Sequence, residues 1–132
     1  EWKAIGDLTE PYYTIKHATS KDGIEWNRNK DICIELSSQN EAVTAPMVIK
    51  DNNIYKMWYS YKGTDYRIGY AESKDGLRWK RMDDQVGIDV STDGFDSIMQ
   101  EYAFVVSHKC KKYMFYNGND YGKEGIGYAS CD

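Results

Sequence analysis

The feature that most constrains the fold is an internal repeat. Residues 15–28 align without a gap to residues 68–81, a shift of 53 positions. Ala18, Ser20, Lys21, Asp22, Gly23, Trp26 and Arg28 recur as Ala71, Ser73, Lys74, Asp75, Gly76, Trp79 and Arg81. A third copy opens at Gly125-Ile126-Gly127-Tyr128-Ala129-Ser130. A second element repeats in the same order: Val48-Ile49 followed by Met57-Trp58-Tyr59 matches Val105-Val106 followed by Met114-Phe115-Tyr116, a shift of 57. Recurrence at a period of this size marks stacked or radially arranged supersecondary units.

Each copy reads as strands. Residues 54–61 are aromatic and alternating, as a half-buried strand requires. Ser-Lys-Asp-Gly supplies a turn, because Asp and Gly tolerate the backbone angles that join antiparallel neighbours. The Trp three residues after that Gly is expected to pack over its neighbour and close the outer hairpin. Residues 51–53 and 108–112 read as the turns between the first and second strands of their units. No convincing amphipathic helix is visible. One full unit then has strands at 45–50, 54–61, 66–73 and 77–82, the pattern of a four-stranded propeller blade. A β-sandwich also consists of many short strands, but identical turn and aromatic residues at a fixed period favour blades.

The expected fold class is therefore all-β, with propeller-like blades of four-stranded antiparallel sheets in one partial propeller domain over residues 1–132. Blade pieces fall at 1–30, 45–82 and 101–132. The first contributes strands at 12–20 and 24–28 and an uncertain segment at 1–6; the last contributes three strands. That makes about two and a quarter blades, against about four in the smallest closed propellers. Open blade edges expose unpaired backbone groups. The chain, whose first residue is Glu1 rather than Met, is expected to be a piece of a longer protein or to close its ring with copies of itself. A homo-oligomer, most simply a dimer, is the expectation, with residues 1–6 available to complete a partner's last blade.

Composition narrows the function classes. A net charge of −4 and a pI of 5.2 provide no electrostatic footprint for nucleic acid or an anionic membrane. Lys109, Lys111 and Lys112 read as a solvated turn. Cys33, Cys110 and Cys131 have neither disulfide nor zinc spacing, and free thiols suit a reducing, cytoplasmic compartment. No apolar run reaches the ~18 residues of a membrane span, and no signal peptide is visible. His17 stands where the repeat has Tyr70 and Tyr128, and His108 sits at a turn, so neither a metal site nor a triad is indicated. The glycines form no phosphate-cradling loop. No cofactor is expected.

The residues Pro46-x-Val48-Ile49, Tyr55-x-Met57-Trp58-Tyr59-Ser60 and Arg67-Ile68-Gly69-Tyr70-Ala71-x-Ser73-x-Asp75-Gly76-x-x-Trp79 resemble the five-bladed propeller glycosidase superfamily, which includes glycoside hydrolase families 32, 43, 62, 68 and 130. The stretch from Tyr113 through Asn117-Gly118-Asn119 to Ala129 looks like a subgroup of glycosidase-like proteins. The resemblance covers nearly the whole chain but about half of a usual member. The Ser-x-Asp-Gly-x-x-Trp element is also similar to the Asp box of six-bladed sialidases, which has one more residue between Asp and Gly. In both groups Asp22 and Asp75 are turn staples.

Glycoside cleavage needs two carboxyl groups, one protonated and one ionised. The resemblance implies an acid from a Glu-x-Pro run on an innermost strand, a base Asp on the first blade, and a further Asp that tunes the acid. At the 57-residue shift, Thr44-Ala45-Pro46 corresponds to Glu101-Tyr102-Ala103, with Ala103 where the family motif has Pro. Thr44 cannot protonate a leaving group; Glu101 can, if its strand faces the central channel, whereas its plainer reading is a solvated residue before a strand. Asp96 is a second carboxylate entering that strand, with a loop cap as its plainer role. Asp7 and Glu10 stand in the wrong place to supply the base, so the dyad reads as incomplete. Arg67, Tyr102, Asn117, Asn119 and Asp120, with Tyr121, are candidates for binding a carbohydrate ligand, although Asn-Gly-Asn-Asp is also turn chemistry. The function expected is a glycosidase-like propeller piece that binds carbohydrate or cleaves it only with a missing partner. The alternative is an interaction module that self-assembles without sugar chemistry.

Overall fold

The computed structural model describes residues 2–5 and 8–131; Glu1, Gly6, Asp7 and Asp132 lie outside the described residues, as do the side chains of Lys3, Ile5, Leu8, Glu10 and Pro11. The chain is almost entirely β. A hairpin of β1 (Trp2–Ile5) and β2 (Leu8–Pro11) is followed by the pair β3 (Lys16–Thr19) and β4 (Asn27–Ile32). A four-stranded sheet runs in the order β5 (Ala42–Asp51), β6 (Ile54–Lys62), β7 (Tyr66–Ser73) and β8 (Lys80–Arg81). The last sheet has three antiparallel strands: β9 (Glu101–His108), β10 (Lys111–Asn117) and β11 (Ile126–Cys131). This is the propeller-like blade pattern. No helix among the described residues is long and apolar enough to cross a membrane.

Both inner hairpins turn on two residues. Asn52 and Asn53 have φ of 48° and 64°, and Lys109 and Cys110 have φ of 48° and 65°. Two consecutive left-handed residues give the turn whose twist matches antiparallel strands. His108 therefore ends β9 rather than lying in the turn. Outer strands expected at 24–28 and 77–82 begin later, at Asn27 and Lys80. The cause is the repeated staple. Asp75 Oδ1 accepts the amides of Leu77 and Arg78 at 2.9 Å each, Ser73 Oγ accepts the Gly76 amide, and the Trp79 indole donates to the Gly76 carbonyl. Asp22 does the same with Ile24 and Glu25, and Trp26 with Gly23. These residues form a closed turn and cannot join a ladder. Trp79 packs against the core, whereas Trp26 is exposed.

Period-two alternation on the middle blade divides the interior in two. Met57, Tyr59 and Ala71 join Ile15, Cys33, Ile34 and Val43 on one face. Trp58, Ile68 and Tyr70 join Ala103, Val105, Met114 and Tyr116 on the other. A blade buried on both faces is what radial stacking demands. Matching backbone bonds link successive blades: Val43 N–H donates to Tyr13 O at 3.1 Å, and Gln100 N–H donates to Tyr66 O at 3.1 Å. The three thiols are free, with Cys33 buried and the other two exposed.

The sheets are tied to their linkers through a tyrosine laid across a glycine. Tyr59 pairs with Gly69 and Tyr116 with Gly127. Tyr59 Oη donates to Asp83 Oδ1 at 2.5 Å, and Tyr116 Oη donates to Asp96 Oδ2 at 2.9 Å. A Cβ on Gly69 would lie 2.5 Å from the Tyr59 ring and 2.7 Å from Asp83 Oδ1. Gly69→Ala is therefore expected to cost about 1–3 kcal/mol by overpacking, read as a lower denaturant midpoint with an unchanged slope.

Candidate functional site

The innermost strands of the second and third blades share a bulge. Ala45 and Tyr102 have φ of 50° and 55°, and pairing with the next strand slips around each. A bulky residue in the left-handed region is uncommon and strained. At the bulge the Tyr102 amide leaves the ladder and donates to Ser60 Oγ of the neighbouring blade at 2.9 Å. The residue just before the bulge is Thr44 in one blade and Glu101 in the other.

Glu101 is 0% exposed, so its reading as a solvated residue before a strand gives way. Neither carboxyl oxygen has a hydrogen-bond partner among the described residues. Burial alone pushes its pKa up to about 7, because an unpaired carboxylate out of water is disfavoured against the neutral acid. Next to it along the strand, the Gln100 amide bonds to the Tyr66 carbonyl, and its register partner Asn117 bonds to the Tyr121 carbonyl. Burial comes first in raising Tyr66, to about 12, followed by the charges of Tyr121, Tyr102, Glu101 and Tyr13. The Tyr66 and Tyr121 rings meet edge-on with centroids 6.0 Å apart.

Other predicted residues hold different positions. Asp96 is 2% exposed, and its Oδ2 accepts from Gln100 Nε2 at 2.8 Å and Tyr116 Oη at 2.9 Å. Burial opposes its ionisation, but hydrogen bonds from Ser91, Gln100 and Tyr116 outweigh that and hold it below the usual carboxylate range. The structure does not pair Asp96 with Glu101, whose shift comes from burial alone. Asn119 is 3% exposed: its Oδ1 accepts the amides of Ile98 and Met99, and its Nδ2 donates to Gly94 O and Glu124 Oε2. It clamps the linker two residues before Glu101. Arg67 Nη1 donates to the carbonyls of Tyr66 and Ile98 at 2.8 and 2.7 Å, joining the blades from behind.

Asn117 pairs in register with Glu101, and its Nδ2 donates to Tyr121 O at 3.2 Å. Asp120 and Tyr121 follow in left-handed geometry within the single irregular turn Asn119–Gly122; the other helical geometry among the described residues is a 3-10 turn at Asp83–Gln85. Asp120 is exposed beside Lys123. Thus Glu101, Tyr102, Asn117 and Tyr121 come together, and Arg67, Asp96 and Asn119 brace them. Sequence reasoning missed Tyr13 and Tyr66. The repeat held the signal, since the two tyrosines are related by its 53-residue shift.

A family model described as β-1,4-mannooligosaccharide phosphorylase matches residues 8–126. The chain belongs to glycoside hydrolase family 130. An uncharacterised protein of Mycobacterium tuberculosis, found in two strains, is 41% identical over 118 residues, covering 89% of this chain and 40% of its own length. Two solved structures share the fold over 87% of this chain and 34% of theirs: a glycoside hydrolase at TM-score 0.69 and 21% identity, and a BT0996–RGII complex at TM-score 0.70 and 20% identity. This family 130 chain is thus a partial member of the five-bladed propeller glycosidase superfamily, spanning 40% of the length of the relatives it matches.

The Glu101 environment sets a pH dependence. The folded carboxyl keeps its proton to about 7, whereas an ordinary Glu releases it near 4.5. Between those values the folded state binds more protons than the unfolded state, so stability falls as pH rises. The penalty is absent below the lower value and complete above the upper one, at about 3 kcal/mol. Glu101→Gln removes the titration. The variant is expected to be more stable than the parent by up to about 3 kcal/mol at about pH 8, with the gap closing near about pH 4, as read by denaturant unfolding across pH.

Proposed function

We propose that Glu101 is the proton donor of a glycoside-cleaving site at the inner end of the third blade. The observation that carries this reading is a fully buried carboxyl with no hydrogen-bond partner among the described residues and a pKa near 7. A general acid works best when its pKa lies close to the operating pH, where it is still protonated yet gives up its proton readily. Cleavage of a glycosidic bond passes through an oxocarbenium-like state, and protonating the departing oxygen is what a raised carboxylic acid contributes. The family described as β-1,4-mannooligosaccharide phosphorylase supports the substrate class. Water or phosphate would be the acceptor.

The second carboxylate is the missing half. Asp96 already holds Gln100 and Tyr116, which suits a structural anchor better than a base. The base is then supplied by another blade, and the activity belongs to an assembled ring. General acid catalysis acts on the leaving oxygen. Glu101→Gln is therefore expected to slow cleavage of a β-1,4-linked oligosaccharide by about 10²–10⁴-fold, and cleavage of a dinitrophenyl glycoside, whose leaving group needs no proton, far less. Equal losses on both substrates, or none on either, would remove Glu101 from this role.

One observation favours a self-assembling chain. The face of the third blade turned away from the second exposes Phe104, Phe115, Ile126 and Tyr128, with the Phe115 and Tyr128 rings 6.3 Å apart. Its opposite face is core, so this sheet is apolar on both sides. We propose that a second copy covers it, giving a homodimer. Residues 2–5 of the segment suggested as a donated strand pair with Leu8–Pro11 within the same chain, so any donation uses the outer edge of that hairpin. Light scattering at micromolar concentration is expected to show a dimer; a stable monomer overturns self-closure.

A further inference from the structure

We propose, resting on the self-assembling reading above, that two copies join head to tail, with Trp26 of each seated on the Phe115, Ile126 and Tyr128 face of the other.

Three observations converge. The first is what the repeat buries. Trp58, Ile68 and Tyr70 of the second blade are buried because the third blade packs on them. Their counterparts one repeat later are Phe115, Ile126 and Tyr128, between 44% and 72% exposed. Ile15, the counterpart of Ile68 in the first blade, is buried under the second. These positions are thus covered wherever a following blade is present. Cross-strand pairing is preserved as well: Trp58 lies opposite Tyr70, and Phe115 lies opposite Tyr128. The ring centroids are 5.2 Å apart in the first pair and 6.3 Å in the second. The outer face of the third blade therefore has the form of a surface that receives another blade.

The second observation says which surface fits it. Trp79, on the staple of the second blade, packs against the core that holds Ile15, and it lines a cavity between the first two blades together with Ile15 and His17. Trp26 is built on the same staple: its indole donates to the Gly23 carbonyl at 3.1 Å, as the Trp79 indole does to Gly76 at 3.2 Å. The same geometry directs Trp26 to the side of the first blade that faces away from the second, and there it is 56% exposed. A large ring fixed by its own turn and left in water is the kind of side chain that anchors interfaces. Ile15 and His17 correspond to Ile126 and Tyr128 in the repeat. A first blade set against a third blade then places Trp26 beside Ile126 and Tyr128, as Trp79 lies beside Ile15 and His17.

The third observation concerns symmetry. Trp26 and Tyr128 belong to opposite ends of the row of blades, so pairing the Tyr128 face with itself leaves both Trp26 rings in water. Head-to-tail contact covers both and continues the blade order of the chain. Such contacts close into a ring when the rotation permits. Two copies of about two and a quarter blades make about four and a half, above the about four of the smallest closed propellers.

The test is sedimentation velocity on the full chain at micromolar concentration, with Trp26→Glu, Tyr128→Glu and an equal mixture of the two. The parent is expected to be a dimer. Each glutamate variant is expected to dissociate, with its dimer Kd raised at least about thirtyfold. The mixture is expected to regain dimer, because one of its two junctions joins an intact Trp26 to an intact Tyr128. Trp26→Ala and Ile126→Glu repeat the measurement if a glutamate variant loses its cooperative unfolding transition. If Trp26→Glu dimerises like the parent while Tyr128→Glu does not, the patch pairs with itself; head-to-tail joining is then overturned and self-assembly stands. A mixture no tighter than its separate variants overturns it too, and species that keep growing with concentration overturn the closed ring. A monomeric parent removes self-assembly and this arrangement together.

Discussion

The bond from a tyrosine hydroxyl, across a glycine, to a carboxylate in the linker between the second and third blades organises most of this structure. In the second blade Tyr59 crosses Gly69 to reach Asp83, which also accepts the Tyr70 amide and the Arg81 guanidinium. Arg81 in turn forms a two-pronged pair with buried Glu41 at 2.7 and 2.8 Å and stacks on Tyr59 and Tyr61. Burial opposes ionisation of Glu41, but these bonds and the Ser37 amide hold it below the usual carboxylate range. The third blade repeats the device with Tyr116, Gly127 and Asp96. A carboxylate out of water needs several donors, so the same contacts that satisfy it fix where the linker leaves the sheet and how the next blade is set.

The two copies differ where chemistry is possible. Two-residue turns, inner bulges and blade-to-blade backbone bonds correspond between them. Before the bulge, Thr44 in one blade corresponds to Glu101 in the other. A bulge lifts one residue out of the ladder and re-aims its neighbours, so a position that is neutral in one copy can become a buried acid in the next without altering the blade.

Legibility in the sequence followed the range of the interactions. The blade pattern, both inner hairpins and the Asp22 and Asp75 staples were readable, because each depends on residues close in sequence. Outer strands were expected too early, since the staple closes over Leu77 to Trp79 and excludes them from pairing. Glu101 was identifiable through its repeat position, but its burial was not. That burial depends on blades packing together, and the Tyr102 amide beside it reaches across to Ser60 of the neighbouring blade. Asn119 illustrates the reverse error of emphasis: it read as a sugar-binding candidate or a turn former, and long-range bonds to Ile98, Met99 and Gly94 make it a clamp.

By itself, the sequence determined the identity of the repeated unit, its strand order and its turns, since periodic alternation and Asp-Gly chemistry act over a few residues. The tertiary structure alone decided which carboxyl is engaged and which is free. Asp96 and Glu101 lie five positions apart in the sequence, yet hydrogen bonds, from Gln100 and Tyr116 among others, hold one below the usual carboxylate range, and burial raises the other to about 7. A side chain's solvation and donors depend on neighbours from distant strands, and those neighbours are assembled only when the blades pack.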